Sequence, residues 1–133
     1  MSTAAGTARE PKWMLWTGRV ISILAAAMLL FGAAMLLSNS AQAVEGMTKY
    51  GYPASAARWI GVAALASALL YLIPQTAVLG AVLMTGYLGG AVATHVRAGE
   101  QFILPVIFGM VVWAGLVLRD RRLRALLPLR SLR

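Results

Sequence analysis

The sequence contains no cysteine, a single histidine and four acidic residues. Without thiols the chain forms no disulfide and holds no thiolate-ligated zinc or iron–sulfur cluster. One imidazole and four carboxylates are too few to cage a metal within one copy. A haem held by two histidines would need His95 from two copies. No Ser/His/Asp set, phosphate-binding loop or glycine-rich dinucleotide turn is present. The Gly86-x-x-Gly89-Gly90 run lies inside an apolar stretch with no strand before it, so it reads as packing. Charge is also scarce, at 12% of 133 residues, and 60% are hydrophobic. Soluble domains carry about 25% charged residues. A chain this short buries only a limited share of its surface by folding on itself. The composition therefore predicts a protein solvated chiefly by lipid.

Crossing a hydrocarbon core of about 30 Å takes about 20 residues of apolar helix. Four stretches qualify, at residues 13–37, 54–73, 76–94 and 102–118. They are long and rich in Ala, Leu and Gly, unlike the strictly alternating strands of a membrane barrel. The expected fold is all-α, a bundle of four transmembrane helices. Residues 1–12 form an N-terminal tail, 13–118 the membrane domain and 119–133 a basic C-terminal tail. Pro74-Gln75 is almost the whole connection between spans two and three, which makes those helices antiparallel neighbours. Pro53 and Pro105 are expected in the first turns of spans two and four, where a missing N–H is tolerated.

Nine of the twelve Lys and Arg, from Arg9 to Arg19 and from Arg119 to Arg133, flank one side of the spans. Lys49, Arg58 and Arg97 flank the other. The positive-inside rule then puts both termini in the cytoplasm. Trp13, Trp16 and Tyr71 are expected at the inner interface, and Tyr50, Tyr52 and Trp59 at the outer one. A basic start, an apolar run and Ala41-Gln42-Ala43 also resemble a cleavable secretory signal. The run from Val20 to Leu37 exceeds the 7–15 residues usual for such signals, and three spans would remain.

Helices in lipid associate through close contact of small side chains. Ala57, Gly61, Ala64 and Ala68 form one such face on span two, and Gly86 and Gly90 another on span three. These faces serve either packing within one bundle or a homo-oligomer seam. On the C-terminal tail, Arg119, Arg121, Arg122 and Arg124 read as an anchor to anionic lipid headgroups. No stacking aromatics interleave them, which argues against nucleic acid. The span centres lack the polar residues expected of a channel or transporter.

Polar chemistry gathers at the outer end of span three, in Tyr87, Thr94, His95 and Arg97. Ionisable groups in or near a membrane are candidate functional residues. Together they could dock a quinone, with His95 and Tyr87 at its carbonyls and Arg97 stabilising charge on reduction. The alternative is that His95 and Arg97 simply finish the helix, bonding its last carbonyls.

Two stretches carry a family resemblance. Tyr71-Leu-Ile-Pro-Gln-Thr-Ala-Val-Leu-Gly-Ala81 and Thr85-Gly-Tyr-Leu-Gly-Gly-Ala-Val-Ala-Thr-His-Val-Arg97 resemble DoxX-like bacterial membrane proteins. Val44-Glu-Gly46, Gly51-Tyr-Pro53 and Leu118 to Pro128 are similar to that family's first outer loop and ending. The resemblance implies a multi-pass protein of the bacterial inner membrane. The broader group takes its name from a small subunit of a thiosulfate:quinone oxidoreductase, and related members belong to membrane redox complexes. It therefore implies a non-catalytic membrane subunit or assembly partner. A quinone-interacting subunit and a lipid or hydrophobic small-molecule binder are the alternatives, with quinone the one possible cofactor and a redox protein a possible partner. Such proteins often carry Glu where this chain has Ala64, and Arg where it has Gln75.

Overall fold

The computed structural model describes residues 10–127, and over them the chain is all-helical. Arg9, Arg130 and Arg133 of the charge count lie outside the described residues. Helices α1 (Lys12–Leu37), α3 (Ala56–Leu72), α4 (Ala77–Arg97) and α5 (Ile103–Arg119) correspond to the four apolar stretches. Two shorter helices, α2 (Ala41–Lys49) and α6 (Arg121–Leu126), lie where the sequence suggested a loop and a tail. Both are capped by their own side chains. Ser40 Oγ accepts from the Ala43 amide, and the Asp120 carboxylate accepts from the amides of Arg122 and Leu123.

The helix ends follow from local chemistry. Ile73 is extended (φ −81°, ψ 121°), as the residue before a proline prefers, and so ends α3. Pro53 lies three residues ahead of α3 instead of in its first turn; its carbonyl accepts from Ala56 in a turn that precedes the helix. Asn39, Gly51 and Gly99 follow the C-caps of α1, α2 and α4 with φ of 57°, 80° and 72°. In each case the next amide reaches back to the carbonyl five residues earlier, in Ser40–Met35, Tyr52–Met47 and Glu100–His95. This is the Schellman closure, which the left-handed residue makes possible.

The four long helices close a ring in which α1 packs along α3 and α5, α4 packs along the same two, and neither diagonal pair packs backbone to backbone. Small side chains face the interior. Ala25, Ala26, Ala33, Ala64, Ala68 and Ala81 are all buried, while Trp59 is 73% and Leu104 78% exposed. Phe31, Leu79, Val82, Ile107 and Met110 also point outward. A water-soluble protein has the reverse distribution, because it gains most by hiding its largest apolar groups. By length and composition α1 and α4 can each cross a membrane, and α3 and α5 are apolar but only 17 residues long. At 1.5 Å per residue those two span about 26 Å, close to the hydrocarbon thickness.

Tyr71 does not sit in an interfacial belt. It is fully buried at the end of the ring where α3 turns into α4. Its hydroxyl donates to the Val112 carbonyl of α5 (2.7 Å) and lies 3.1 Å from Ser22 Oγ of α1. Arg119 donates to the Tyr71 carbonyl at 2.6 Å, and its guanidinium lies 4.9 Å from the ring centroid. Gly80 of α4 fits against the Tyr71 backbone so closely that a Cβ there would collide with its nitrogen and Cα. Gly18 and Gly115 give α1 and α5 a similar approach; a Cβ on Gly18 would lie 2.9 Å from the Gly115 carbonyl.

Ala57, Gly61, Ala64 and Ala68 are all buried, with Gly61 against Leu36 and Leu37 of α1. Gly86 and Gly90 behave differently. A Cβ on either meets nothing within 4 Å, so neither seats a neighbouring helix within the chain. Gly80→Ala is therefore expected to destabilise the fold by about 1–3 kcal/mol or more through overpacking. Gly90→Leu should leave thermal unfolding in detergent nearly unchanged. Tyr71→Phe should cost about 1 kcal/mol, the net worth of one buried hydrogen bond.

Candidate functional site

At the end opposite Tyr71 the ring is not filled. A cavity of about 650 Å³ lies between the last turns of α1 and the second half of α4, with α2 across it. Its walls are mostly apolar: Gly32, Met35 and Leu36 from α1, Met47 from α2, Ile60 from α3, and Gly86, Gly90 and Ala91 from α4. Gly32, Gly46, Gly86 and Gly90 have open space where a Cβ would be, so glycine here makes room instead of contact. Volumes of 300–1,000 Å³ with a few convergent polar groups are typical of small-molecule sites.

The polar groups gather toward the rim. Thr94 and His95 line the cavity there, joined by Tyr50, Tyr52 and Gln42, while Tyr87 lines it about two turns deeper along α4. Thr94 donates to the Gly90 carbonyl (2.8 Å), so Tyr52, 2.7 Å from Thr94 Oγ1, must donate to it. His95 Nδ1 lies 2.7 Å from the Ala91 carbonyl. A carbonyl only accepts, so Nδ1 carries the proton, and in the neutral ring Nε2 is the acceptor. The Tyr50 ring leans on His95 at 5.4 Å between centroids.

Arg97 does not line the cavity. Its guanidinium donates to the Tyr50 carbonyl (2.8 Å) and lies 5.6 Å from the Tyr52 ring centroid. It holds the segment that follows α2 against the end of α4. Glu100 does the same, accepting from Tyr50 Oη (2.7 Å) and pairing with Lys49 Nζ (2.5 Å). The expectation that His95 and Arg97 finish α4 describes His95 in part, since it bonds its own helix, whereas Arg97 reaches across to another segment.

The basic tail is also partly spent inside the molecule. Arg124 donates to the carbonyls of Val117 and Leu118 and pairs with Glu10, and Arg119 holds Tyr71. The hydrogen bond from Arg124 keeps the Glu10 carboxyl below the usual range. Arg121 lies 3.9 Å from Glu10. Arg19, Arg119, Arg121 and Arg122 line a second hollow of about 580 Å³ at this end. Because Glu10 meets Arg124, both ends of the described chain lie at the Tyr71 end of the ring.

Sequence reasoning did not anticipate α2, Tyr50 or Tyr52 as parts of the site. The signals were Ser40 as an N-cap and Gly51 as a left-handed stop, which bracket a helix between them.

The sequence profile of the DoxX-like family matches residues 20–115, a stretch that includes every wall of the cavity. The chain belongs to the DoxX-like family. No curated protein and no solved structure matches it. Family membership together with the large apolar side chains on the outer surface makes this DoxX-like chain a membrane protein.

Hydrogen bonds from Lys49 and then Tyr50 hold the Glu100 carboxyl below its ordinary value of 4.5. The same bonds raise Lys49 above 10.5 and Tyr50 above 10.0. A depressed carboxylate contributes stability above its unfolded value and loses it as pH falls through the folded one. Raised Lys and Tyr contribute below their unfolded values and lose it as pH rises through the folded ones. The clasp over α2 should therefore persist between those limits. Hydrogen exchange of the α2 amides should be slow and flat across neutral pH after correction for the intrinsic rate. Faster exchange is expected on acidification below the carboxylate range, and at neutral pH in Glu100→Gln.

Proposed function

We propose that this DoxX-like protein is a non-catalytic subunit of the bacterial inner membrane, threaded four times, that holds a hydrophobic small molecule in its outer cavity. The observation that carries this reading is the cavity itself, apolar along its walls and polar at one rim, beside a core closed by small residues. Support for four spans comes from α3 and α5, which are apolar and stand side by side with the two longer helices. Support for cytoplasmic termini comes from the excess of Lys and Arg at the Tyr71 end. On that orientation the cavity opens toward the outer leaflet. The hollow lined by Arg19, Arg121 and Arg122 faces the inner one, where anionic headgroups attract basic side chains.

A second reading, a quinone-interacting subunit of a membrane oxidoreductase, is favoured by His95 and Tyr87 lining the same cavity. Arg97 takes no part in it, being turned toward Tyr50 and Tyr52. A redox protein beside the chain would then supply or remove the electrons, since the chain has no thiol and one histidine.

Native mass spectrometry after extensive washing tests the first reading. The wild-type protein should retain an apolar molecule that Gly90→Leu, which places a side chain in the cavity, does not. Equal retention by both would contradict it. For the second reading, a short-chain quinone should raise the unfolding temperature of the wild type but not of His95→Ala. An unchanged melting profile would remove quinone as a ligand.

A further inference from the structure

The rim of the outer cavity is rich in acceptors and poor in donors. Three of its hydroxyl protons are already committed: Tyr50 donates to Glu100, Thr94 to Gly90, and Tyr52 to Thr94. His95 commits its Nδ1 proton to the Ala91 carbonyl. What these groups still offer is lone pairs, and the strongest acceptor is His95 Nε2. It has no hydrogen-bond partner among the described residues, yet it is not fully buried as Arg119 Nε is. Tyr87 also faces the cavity, but it lies eight residues before His95, about 12 Å deeper along α4. One polar head at the rim therefore meets His95 and not Tyr87.

We infer that the outer cavity selects apolar molecules whose head donates a hydrogen bond, an alcohol or a phenol, with His95 Nε2 as the acceptor. This rests on the cavity being a ligand site, as proposed above, and adds the chemistry that decides what enters. A head that only accepts, such as an ether or a ketone, finds no proton at the rim from Tyr50, Tyr52, Thr94 or neutral His95. Burying it there leaves its oxygen and the imidazole lone pair unpaired, and an unpaired buried polar group costs more than a hydrogen bond returns. The Gln42 amide lines the outer wall on the exposed side of α2, so solvent already satisfies it.

The matched probes are 4-nonylphenol and 4-nonylanisole, which share a body and differ in the donated proton. Binding to the full-length protein in lipid nanodiscs should favour the phenol by about tenfold. His95→Phe keeps a ring of similar size and should bring the ratio close to one. Because the chain has one histidine, imidazole ¹⁵N spectra report the same contact on the unaltered protein. The phenol should shift the Nε2 resonance while Nδ1 stays protonated, and the anisole should shift neither. Equal binding of both probes to the wild type would overturn the inference and leave the cavity reading standing. So would a preference that survives in His95→Phe, or a ring protonated at Nε2. Binding of neither probe would overturn both.

Discussion

Three helices converge on Tyr71 of α3: its hydroxyl reaches α1 and α5, and glycine lets the α4 backbone pack against its own. Gly80 brings α4 onto the Tyr71 backbone, and Gly18 and Gly115 bring α1 and α5 together beside it. The phenol then reaches Val112 and Ser22, and Arg119 closes the end over its carbonyl. In lipid, burying apolar surface gives helices little reason to associate, so contact of this closeness supplies the attraction. The wide cavity end follows from the tight Tyr71 end. Helices pinned at one end need not fill the other, and there the glycines of α1 and α4 face a cavity.

The short helix α2 lies across that wide end and bounds the cavity. Its own caps, Ser40 and Gly51, make it a helix, and it touches only α1 and α3 among the long helices. The segment following it is fastened to α4 through Arg97, Glu100 and Thr94. These bonds use polar side chains that would otherwise stand unpaired at a membrane surface. They also consume the donors at the rim, which gives the cavity its acceptor character. On the proposed reading of the cavity, structural and recognition roles are shared by the same residues.

The four long helices, the Pro74-Gln75 reversal and the small face of α3 were legible in the sequence, because hydropathy and spacing record them directly. Helix α2 was not, since nine residues of mixed polarity read as a loop unless Ser40 and Gly51 are taken as its two caps. Tyr71 was assigned to the interface on residue type. The packing of α1, α4 and α5 around it, which residue type does not record, buries it. Gly86 and Gly90 have the spacing of a packing motif, and spacing alone does not distinguish a glycine that admits a helix from one that leaves open space. Thr94 and His95 were found as a polar cluster, but the directions of their hydrogen bonds depend on Tyr52 and Ala91.

The account rests on four crossings with the Tyr71 end inside, and the absence of native cysteine makes that directly measurable. Single-cysteine variants Gln75→Cys, at the inner turn, and Ala98→Cys, at the outer end of α4, can be probed in intact cells with a membrane-impermeant maleimide. The account predicts that Ala98→Cys is labelled from outside and that Gln75→Cys reacts only after the membrane is opened. Labelling of both positions in intact cells, or of neither, would contradict it.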